Sequence, residues 1–415
     1  MTLVQASPEF LKALEAELPA GTVADVTEGY LREERGLIRG NAACLLRPRN
    51  TAEVATIVRL CNQYRVGIIP YAGGTGLVGG QVADLNPAAI IVSVERMADV
   101  RKTDIANNTI TVEAGVILAD IQKTADDVDR LFPLSLASEG SCRIGGNLAT
   151  NAGGTQVLRY GNARDLCLGL EAVLPDGSIY RGLTGLRKDN TGFDIRNLLV
   201  GSEGALGIIT AATLKLYAKP KELATAMAVV PSPKAAVALL GQVQSGLDGL
   251  VSGFELIHGQ GLDFLTETMP DVRQPFATRH EWMVLIEVAG GQGARLDARL
   301  MSVLETAIEN ELVTDVLIAQ NVQQAQEFWH VRESIPLANK AIGGISSHDI
   351  SVPISALPAF IQAGFDAIAK LGNLRVNCFG HVGDGNLHYN VYPAKGHNRN
   401  DLMHMQPAIK TVIYD

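Results

Sequence analysis

The sequence predicts an α+β chain of two domains, and two features carry this prediction. Residues 1–219 contain three glycine-rich regions, at 70–80, 138–154 and 201–207, set among short apolar segments typical of strands. From Pro220 onward, strand-like and helix-like segments alternate at roughly equal spacing, as in a ferredoxin-like α+β sandwich. The composition changes at Lys219-Pro220, which predicts domains at 1–219 and 220–415. A chain of 415 residues is long enough for both.

The elements of the first domain follow from periodicity and turn residues. Apolar side chains at Val54, Ile57, Val58 and Cys61 recur at helical spacing, and we expect Thr51 to cap that helix. Residues 170–178 have the pattern of a strand followed by a tight hairpin turn. The same criteria predict further helices at 8–18 and 117–125, and strands at 66–69, 89–94 and 109–115.

The second domain is predicted in the same way. Its alternating pattern gives strands at 223–230, 251–256, 283–288 and 315–319, and helices at 233–247, 294–308 and 322–334.

Composition and charge exclude several classes of protein. Apolar residues make up 47% of the chain, which excludes global disorder, and a net charge of −9 without a long basic block argues against nucleic-acid binding. We see no apolar run of about 18 residues, so no transmembrane segment is predicted. The N-terminus lacks a signal or transit pattern, and the five cysteines are scattered. These features predict a cytoplasmic protein with reduced thiols.

The segment from Pro70 to Gly80 is the most informative motif of the first domain. It contains five glycines and follows an apolar strand-like run. Glycine leaves backbone N–H groups accessible, and successive N–H groups can form a concavity that binds an anion, usually phosphate. The segment therefore predicts a site for a phosphate-bearing cofactor.

Two alternatives to that interpretation remain open. Gly74-x-Gly76-x-x-Gly79 fits a dinucleotide fingerprint, but residues 81–88 are too short for the crossover helix that such a site needs, and no Gly-Lys-Ser/Thr ending marks a nucleotide P-loop. A glycine-rich surface loop would explain the same sequence, because glycine clusters usually mark turns.

A second group of candidate residues lies near the C-terminus. His381 and His388 flank a Gly383-Asp384-Gly385 turn that would allow their imidazoles to converge. Two imidazoles suit zinc or another borderline divalent ion, although a protein site normally has a third ligand. A hydrogen-bonded pair of core histidines is the alternative.

Arg332 is a candidate anchor for an acidic substrate. It follows Phe328 and Trp329 on a predicted helix, and a guanidinium can form paired hydrogen bonds with a carboxylate. A surface ion pair with Glu333 or another neighbour is the alternative.

Taken together, these motifs resemble a known family. They are the glycine loop and, in this order, 133–138 (PLSLAS), 144–147 (IGGN), 151–154 (NAGG), 201–210 (GSEGALGIIT) and 380–388 (GHVGDGNLH). The chain resembles the FAD-dependent D-2-hydroxyacid dehydrogenases of the vanillyl-alcohol-oxidase fold over nearly its whole length. That group includes D-lactate dehydrogenases, the glycolate oxidase FAD subunit and D-2-hydroxyglutarate dehydrogenase.

The resemblance implies an FAD-binding domain in two lobes, about 1–100 and 101–219, and a cap domain for the substrate at 220–415. It implies noncovalent FAD, because no histidine stands in the phosphate loop. The residues it assigns to FAD are Pro70, Gly73, Gly74, Thr75, Gly76, Leu77, Gly79, Gly80, Pro133, Ser138, Gly145, Gly146, Asn151, Gly153, Gly154, Glu203, Gly207 and Ile209.

The resemblance also implies a reaction. A D-2-hydroxy acid is oxidised to the 2-oxo acid, with hydride passing to flavin N5. A divalent metal on His381 and His388, with zinc the first candidate, would orient the substrate. Arg332, Asn386 and His388 would act on the substrate as catalytic residues. The electron acceptor would be a quinone, a cytochrome or an electron-transfer flavoprotein, and a homodimer is an expectation of the family.

Two departures from the family pattern generate alternatives. Ser347 stands where many relatives carry Lys, which weakens the case for a dicarboxylate substrate. Relatives continue past the position of Asp415 into a Glu-His-Gly segment that supplies a third metal ligand. We therefore expect weak FAD binding and poor turnover, and keep a noncatalytic flavin-binding fragment as one alternative. A colourless metal hydrolase built on the two histidines is the other.

Overall fold

The structure is a computed structural model that describes residues 2–82 and 84–415, and it contains two compact units. The first unit consists of the chain up to Gly154 together with Tyr160–Lys219. The second consists of Pro220–Asp415 together with the short segment Thr155–Arg159. The chain passes between units at Lys219-Pro220, and no pattern in the sequence predicted the inserted segment.

The elements of the first part of the chain are short. The helices are α1 (Pro8–Glu17), α2 (Glu28–Leu31), α3 (Thr51–Tyr64), α4 (Leu118–Asp126), α5 (Ile144–Ala149), α6 (Val157–Tyr160), α7 (Ala163–Leu166) and α8 (Ile195–Leu199). The strands are β1 (Val23–Ala24), β2 (Leu45–Leu46), β3 (Ile68–Tyr71), β4 (Ile90–Ser93), β5 (Val100–Asp104), β6 (Thr109–Glu113), β7 (Arg130–Leu131), β8 (Cys167–Val173), β9 (Ile179–Gly182), β10 (Ile208–Lys215) and β11 (Tyr217–Ala218).

Two sheets organise the first unit. One has the order β1-β2-β4-β3, in which β4 runs parallel to β2 and β3. The other is antiparallel, with the order β5-β6-β10-β8-β9, and β8 and β9 form the predicted hairpin. The buried face of α3, which includes Ile57, packs into the main core. The cap of α3 is Asn50, which accepts from the Glu53 amide at 3.0 Å, so the assignment of the cap to Thr51 is wrong by one residue.

The glycine loop connects β3 to β4. Over the described residues between Tyr71 and Ile90 the chain forms turns, bends and irregular segments but no helix. A nicotinamide fingerprint requires a helix at this point, so the structure agrees with the sequence argument against that alternative.

The second unit contains longer elements. Its strands are β12 (Glu222–Val229), β13 (Val251–His258), β14 (Trp282–Gly290), β15 (Asp315–Ile318), β16 (Ser346–Ser351), β17 (Leu374–His381) and β18 (Asn386–Pro393). Its helices are α9 (Pro233–Gly246), α10 (Gly259–Thr268), α11 (Leu296–Glu309), α12 (Val322–Ile342), α13 (Leu357–Leu371), α14 (Arg399–Leu402) and α15 (Gln406–Tyr414).

One antiparallel sheet of seven strands, in the order β15-β12-β14-β13-β17-β18-β16, forms the centre of the second unit. Successive side chains of a strand point to opposite faces. On β13, Phe254 and Leu256 therefore join the core under α9, α11, α13 and α15, whereas Ile257 joins the core under α10 and α12. Glu255 lies on the same face as Ile257.

Helix α12 extends eight residues beyond the predicted end at Ser334, to Ile342. Pro336 lies inside it, and proline normally weakens a helix because it lacks an N–H group. Ile335 and Ala338 are fully buried in the core, and this burial favours continuation past the proline.

Residues Ile354–Leu371, which include α13, are long and apolar enough by length and composition to cross a membrane. The buried residues of α13 are Leu357, Ile361, Gly364 and Ile368, at the spacing of one helix face. That spacing is typical of a helix packed on a protein core. The absence of a transmembrane segment stays a prediction.

Candidate functional site

A cleft in the first unit brings together most of the residues predicted to bind FAD. Twelve of them line it: Pro70, Gly73, Gly74, Thr75, Gly76, Gly80, Ser138, Gly145, Gly146, Glu203, Gly207 and Ile209. Leu77, Gly79, Pro133, Asn151, Gly153 and Gly154 lie outside the lining. Other residues of the lining, such as Tyr71, Arg143 and Asn147, were not predicted.

The side chain of Gln81 orients the glycine loop. Its Nε2 donates to the Gly76 carbonyl at 2.7 Å and to the Gly74 carbonyl at 3.1 Å. In a trans peptide the carbonyl of one residue and the amide of the next point in opposite directions. The Thr75 and Leu77 amides therefore point away from Gln81. Within the described part of the chain, none of the amides of residues 73–77 donates a hydrogen bond.

Close backbone packing surrounds the loop. A Cβ at Gly73 would lie 2.8 Å from both the Cys142 Cα and the Ser141 carbonyl oxygen, which are backbone atoms. Gly74 adopts a φ of +70°, a conformation that favours glycine. Unpaired amides in a loop that excludes even a methyl group fit the close approach of a phosphate-bearing ligand.

Asn147 provides a second test of whether FAD fits the cleft. It is 6% exposed and lines the cleft, and its Oδ1 is buried without a hydrogen-bond partner among the described residues. An orphaned acceptor is costly unless a ligand donates to it. Isoalloxazine carries such an N–H donor, so the cleft fits FAD. The signal that could have identified Asn147 is its position directly after Gly145-Gly146.

Two of the predicted FAD residues outside the cleft lining have packing roles. A Cβ at Gly154 would lie 1.7 Å from the Ser135 carbonyl oxygen, so only glycine permits this approach of two backbones. Asn151 accepts from the Arg164 amide at 3.0 Å through Oδ1. Both residues shape the loops behind the cleft.

The two histidines converge in the second unit. β17 ends at His381, a short 3-10 turn covers Val382–Asp384, and β18 begins at Asn386. The turn reverses the chain, and the ring centroids of His381 and His388 lie 5.5 Å apart. The structure therefore brings the two imidazoles together as predicted from the Gly-Asp-Gly turn.

A buried carboxylate, Glu255, joins His381 to Arg332. Its Oε1 lies 2.6 Å from His381 Nδ1, and its Oε2 accepts from Arg332 Nε at 2.9 Å and lies 2.7 Å from Nη2. Glu255 is 1% exposed and Arg332 is 5% exposed. Burial alone would raise the pKa of Glu255, but the charges of Arg332 and His381 lower it to about 2. Glu255 is therefore ionised at neutral pH.

The pKa values of the two histidines shift in opposite directions. Burial disfavours the charged form of His381, but the Glu255 carboxylate outweighs burial and raises the pKa of His381 above its ordinary value. Burial, followed by the nearby Arg332 charge, lowers the pKa of His388 to about 4. His388 is thus a neutral imidazole at pH 7, with a lone pair available to a metal or a proton.

Asn386 and Asp349 complete the cluster. Asn386 Nδ2 donates to Asp349 Oδ1 at 2.7 Å, and the same Asp349 oxygen lies 3.7 Å from His388 Nδ1. This bond occupies the amide nitrogen of Asn386 and leaves its Oδ1 as an acceptor for a ligand.

The structure decides the alternative for Arg332: it pairs with buried Glu255, so a surface ion pair with Glu333 is wrong. His381 hydrogen-bonds to that same buried carboxylate, which both a metal site and a pair of hydrogen-bonded core histidines allow. Over residues 2–82 and 84–415, no group of three or more His, Cys, Asp or Glu side chains could hold a metal. The imidazole pair fits half of a zinc site, and the metal stays a prediction.

Two family models match separate parts of the chain. Residues 42–182 match the family described as FAD binding domain, and residues 219–406 match FAD linked oxidases, C-terminal domain.

Several relatives align with most of the chain. The mitochondrial D-2-hydroxyglutarate dehydrogenase of Arabidopsis thaliana is 35% identical over 86% of this chain and 63% of its own length. The zebrafish (Danio rerio) enzyme of that name is 34% identical, over 92% and 71%. The D-2-hydroxyglutarate–pyruvate transhydrogenase of Saccharomyces cerevisiae is 32% identical, over 85% and 72%. The chain thus spans slightly less than two thirds of the Arabidopsis relative.

Solved structures share the fold. p-Cresol methylhydroxylase with substrate bound matches with a TM-score of 0.78 at 14% identity, over 97% of this chain and 86% of its own. Alkyldihydroxyacetonephosphate synthase matches with a TM-score of 0.75 at 18% identity, over 100% and 80%. These identities show the fold alone, and they confirm the α+β, vanillyl-alcohol-oxidase type predicted. The level of identity to the curated relatives shows the family: the chain belongs to the FAD-dependent D-2-hydroxyacid dehydrogenases.

Proposed function

We propose that this protein oxidises a D-2-hydroxy acid to the corresponding 2-oxo acid with noncovalent FAD as the oxidant. The observation that carries the proposal is the cluster of Arg332, His381 and His388 around ionised Glu255 in a chain whose first unit has a cleft fit for FAD. FAD, when bound, would take up the hydride that leaves the substrate carbon, and a general base would take the proton that leaves the hydroxyl.

Arg332 supplies the anchor for the substrate carboxylate. Glu255 engages its Nε and Nη2, which leaves Nη1 for a second carboxylate. The guanidinium carbon lies 4.8 Å from the centroid of the Phe379 ring, which fixes its plane. An arginine stays charged at all working pH values, so this anchor selects anionic substrates.

The two histidines and Asn386 address the hydroxyl end of the substrate. The neutral ring of His388 and the ring of His381 would hold a divalent metal, and the substrate's own hydroxyl and carboxylate oxygens would complete its coordination. The chemistry that such a metal would supply is Lewis-acid polarisation of the substrate hydroxyl. Asn386 Oδ1 would accept the hydroxyl hydrogen bond and orient it.

The relatives narrow the choice of substrate. The names of the Arabidopsis, zebrafish and yeast proteins refer to D-2-hydroxyglutarate, which makes that acid the first to test. Ser347 is an exposed neutral residue. Its lack of charge favours monocarboxylates, so D-lactate or glycolate should be tested beside D-2-hydroxyglutarate.

Three further expectations stay predictions. The electron acceptor is a quinone, a cytochrome or an electron-transfer flavoprotein, and the protein is a homodimer. All five cysteines are buried as free thiols, which supports a reducing compartment such as the cytoplasm.

Anaerobic mixing with hydroxy acids tests the proposal. The FAD-loaded protein should lose its yellow colour with D-2-hydroxyglutarate or D-lactate and keep it with the L-enantiomers. Arg332→Met should abolish this bleaching. Arg375→Met is the matched control, because Arg375 also pairs with a carboxylate, that of Glu267, and stacks on Phe264 at 4.7 Å, outside the cluster. Bleaching by neither enantiomer of any of these acids would refute the proposed activity.

A further inference from the structure

We propose that Glu255 is a positioning residue that fixes Arg332 and His381 relative to one another. One buried carboxylate would then set the distance between the anchor of the substrate carboxylate and the nitrogen that binds the metal. This inference rests on the proposed function and assigns a role to a residue that no sequence motif singled out.

The fold places Glu255 for this role. Glu255 and His381 are directly opposite each other on the paired strands β13 and β17, so the sheet register brings their side chains to the same face. Arg332 comes from α12, which packs on that face. The three groups therefore come from three different elements, and the carboxylate is the group that contacts both of the others.

Each carboxylate oxygen serves one partner. Oε1 lies 2.6 Å from His381 Nδ1, so Nδ1 is the protonated nitrogen in the neutral ring and Nε2 alone is left to bind a metal. Oε2 meets Nε and Nη2 of Arg332, so Nη1 is the edge left for a substrate. The direction of approach of both ligands is thus determined by one side chain.

The competing explanation is that this ion pair is purely structural, although buried ion pairs often stabilise a fold no better than apolar residues do. The neighbouring strand offers a matched control for that explanation. Glu287 of β14 lies on the same face, opposite Gly253, and is partly buried. It accepts from Trp329 Nε1 at 2.7 Å and Ser252 Oγ at 2.9 Å, and it bonds to neither Arg332 nor His381.

The experiment compares Glu255→Gln with Glu287→Gln in the FAD-loaded full chain. Glutamine keeps the shape but cannot accept from both partners. Titration with cobalt(II) chloride, followed by its d–d absorption, should show 10- to 100-fold weaker metal binding for Glu255→Gln, the effect typical of losing such a partner. The KM for the hydroxy acid should rise about 10-fold, in line with the loss of a positioned charged hydrogen bond. Glu287→Gln should change neither quantity by more than about threefold, since Glu287 touches neither ligand group.

A measurement on the wild-type protein covers the case in which Glu255→Gln does not fold. In metal-free protein labelled with ¹⁵N-histidine, at a pH where the His381 ring is neutral, Nδ1 should carry the proton. An Nε2–H tautomer would overturn the proposal, as would a wild-type protein that binds no cobalt or equal effects of the two variants. Failure of the hydroxy acids to bleach flavin would instead refute the proposed function, while the cobalt and tautomer results still decide the role of Glu255.

Discussion

The candidate sites of the two units are formed by different chemical groups. The cleft of the first unit is built around a glycine loop with unpaired backbone amides, which two hydrogen bonds from one glutamine hold in place. The cluster of the second unit consists of charged and ring side chains around a single carboxylate. A backbone site should be damaged by adding a Cβ, whereas a side-chain site should be damaged by removing a charge.

The chain provides separate reporters for this comparison. Both tryptophans, Trp282 and Trp329, lie in the second unit, so intrinsic fluorescence follows that unit. Bound FAD would report on the cleft of the first unit. A change confined to one unit should therefore alter one signal and leave the other.

The largest effect is expected from Arg332→Met. The variant leaves Glu255 ionised and buried without its main partner, and breaking a buried pair typically costs about 3–5 kcal/mol. Urea unfolding followed by tryptophan fluorescence measures the loss. The control Arg375→Met removes an arginine whose partner Glu267 reaches solvent, and should cost about 1 kcal/mol. Equal losses would show that the cluster is no more dependent on charge than the surface of the unit.

Acid should weaken the second unit through His348. Both ring nitrogens of this 3% exposed histidine lack hydrogen-bond partners among the described residues, and burial followed by the charge of Lys410 lowers its pKa to about 4. The unfolded chain takes up the proton below about pH 6.5, so stability is full above that pH and falls toward pH 4, by about 2–3 kcal/mol.

The test for His348 is His348→Phe, which keeps a ring against Tyr414 without a titratable group. Between pH 6.5 and pH 4.5, its urea midpoint should decline less steeply than that of the wild type. Parallel pH profiles for the two proteins would assign the acid sensitivity to other groups.

Gly73→Ala tests the backbone site. The new methyl group would meet backbone atoms at residues 141–143, an overpacking that costs about 1–3 kcal/mol and displaces the loop. The expected result is loss of bound FAD, read from the flavin-to-protein absorbance ratio, with an unchanged tryptophan unfolding curve. Gly140→Ala is the control, because no atom lies within 4 Å of its Cβ position. Retention of FAD by Gly73→Ala would contradict the tight loop.

The smallest effect is expected from Gln81→Leu. Loss of its bonds to the Gly74 and Gly76 carbonyls frees the loop to rotate its amides. The binding free energy for FAD should weaken by about 1 kcal/mol, which is roughly a fivefold to tenfold weaker affinity. Gln122→Leu removes a similar bond, to the Leu134 carbonyl, outside the cleft and should leave FAD affinity unchanged. Isothermal titration of the apoprotein with FAD distinguishes the two variants. Equal FAD affinities of the two variants would show that Gln81 does not orient the loop for FAD binding.

Local patterns predicted much of the fold. The helices around Val54 and from Pro233, the hairpin after Val173 and four of the seven strands of the second unit appear within a few residues of their predicted bounds. Strands β16, β17 and β18 were not predicted. Errors occurred where tertiary contacts overrode local preference. Burial of Ile335 and Ala338 carries α12 past Pro336. Thr155–Arg159 joins the second unit through long-range contacts that no local pattern encodes.

For the two sites, the sequence by itself determined which chemistry is present: a glycine loop for an anion and a His-Gly-Asp-Gly turn that lets two imidazoles meet. These features are local, since they depend on residue type and on spacing within a few positions. Only the tertiary structure decided which side chains pair with each other. Glu255 is 77 residues from Arg332 and 126 from His381, and it became the centre of the cluster through sheet register and helix packing. Such contacts are fixed by packing and by the need to pair buried charges, which no short stretch of sequence records.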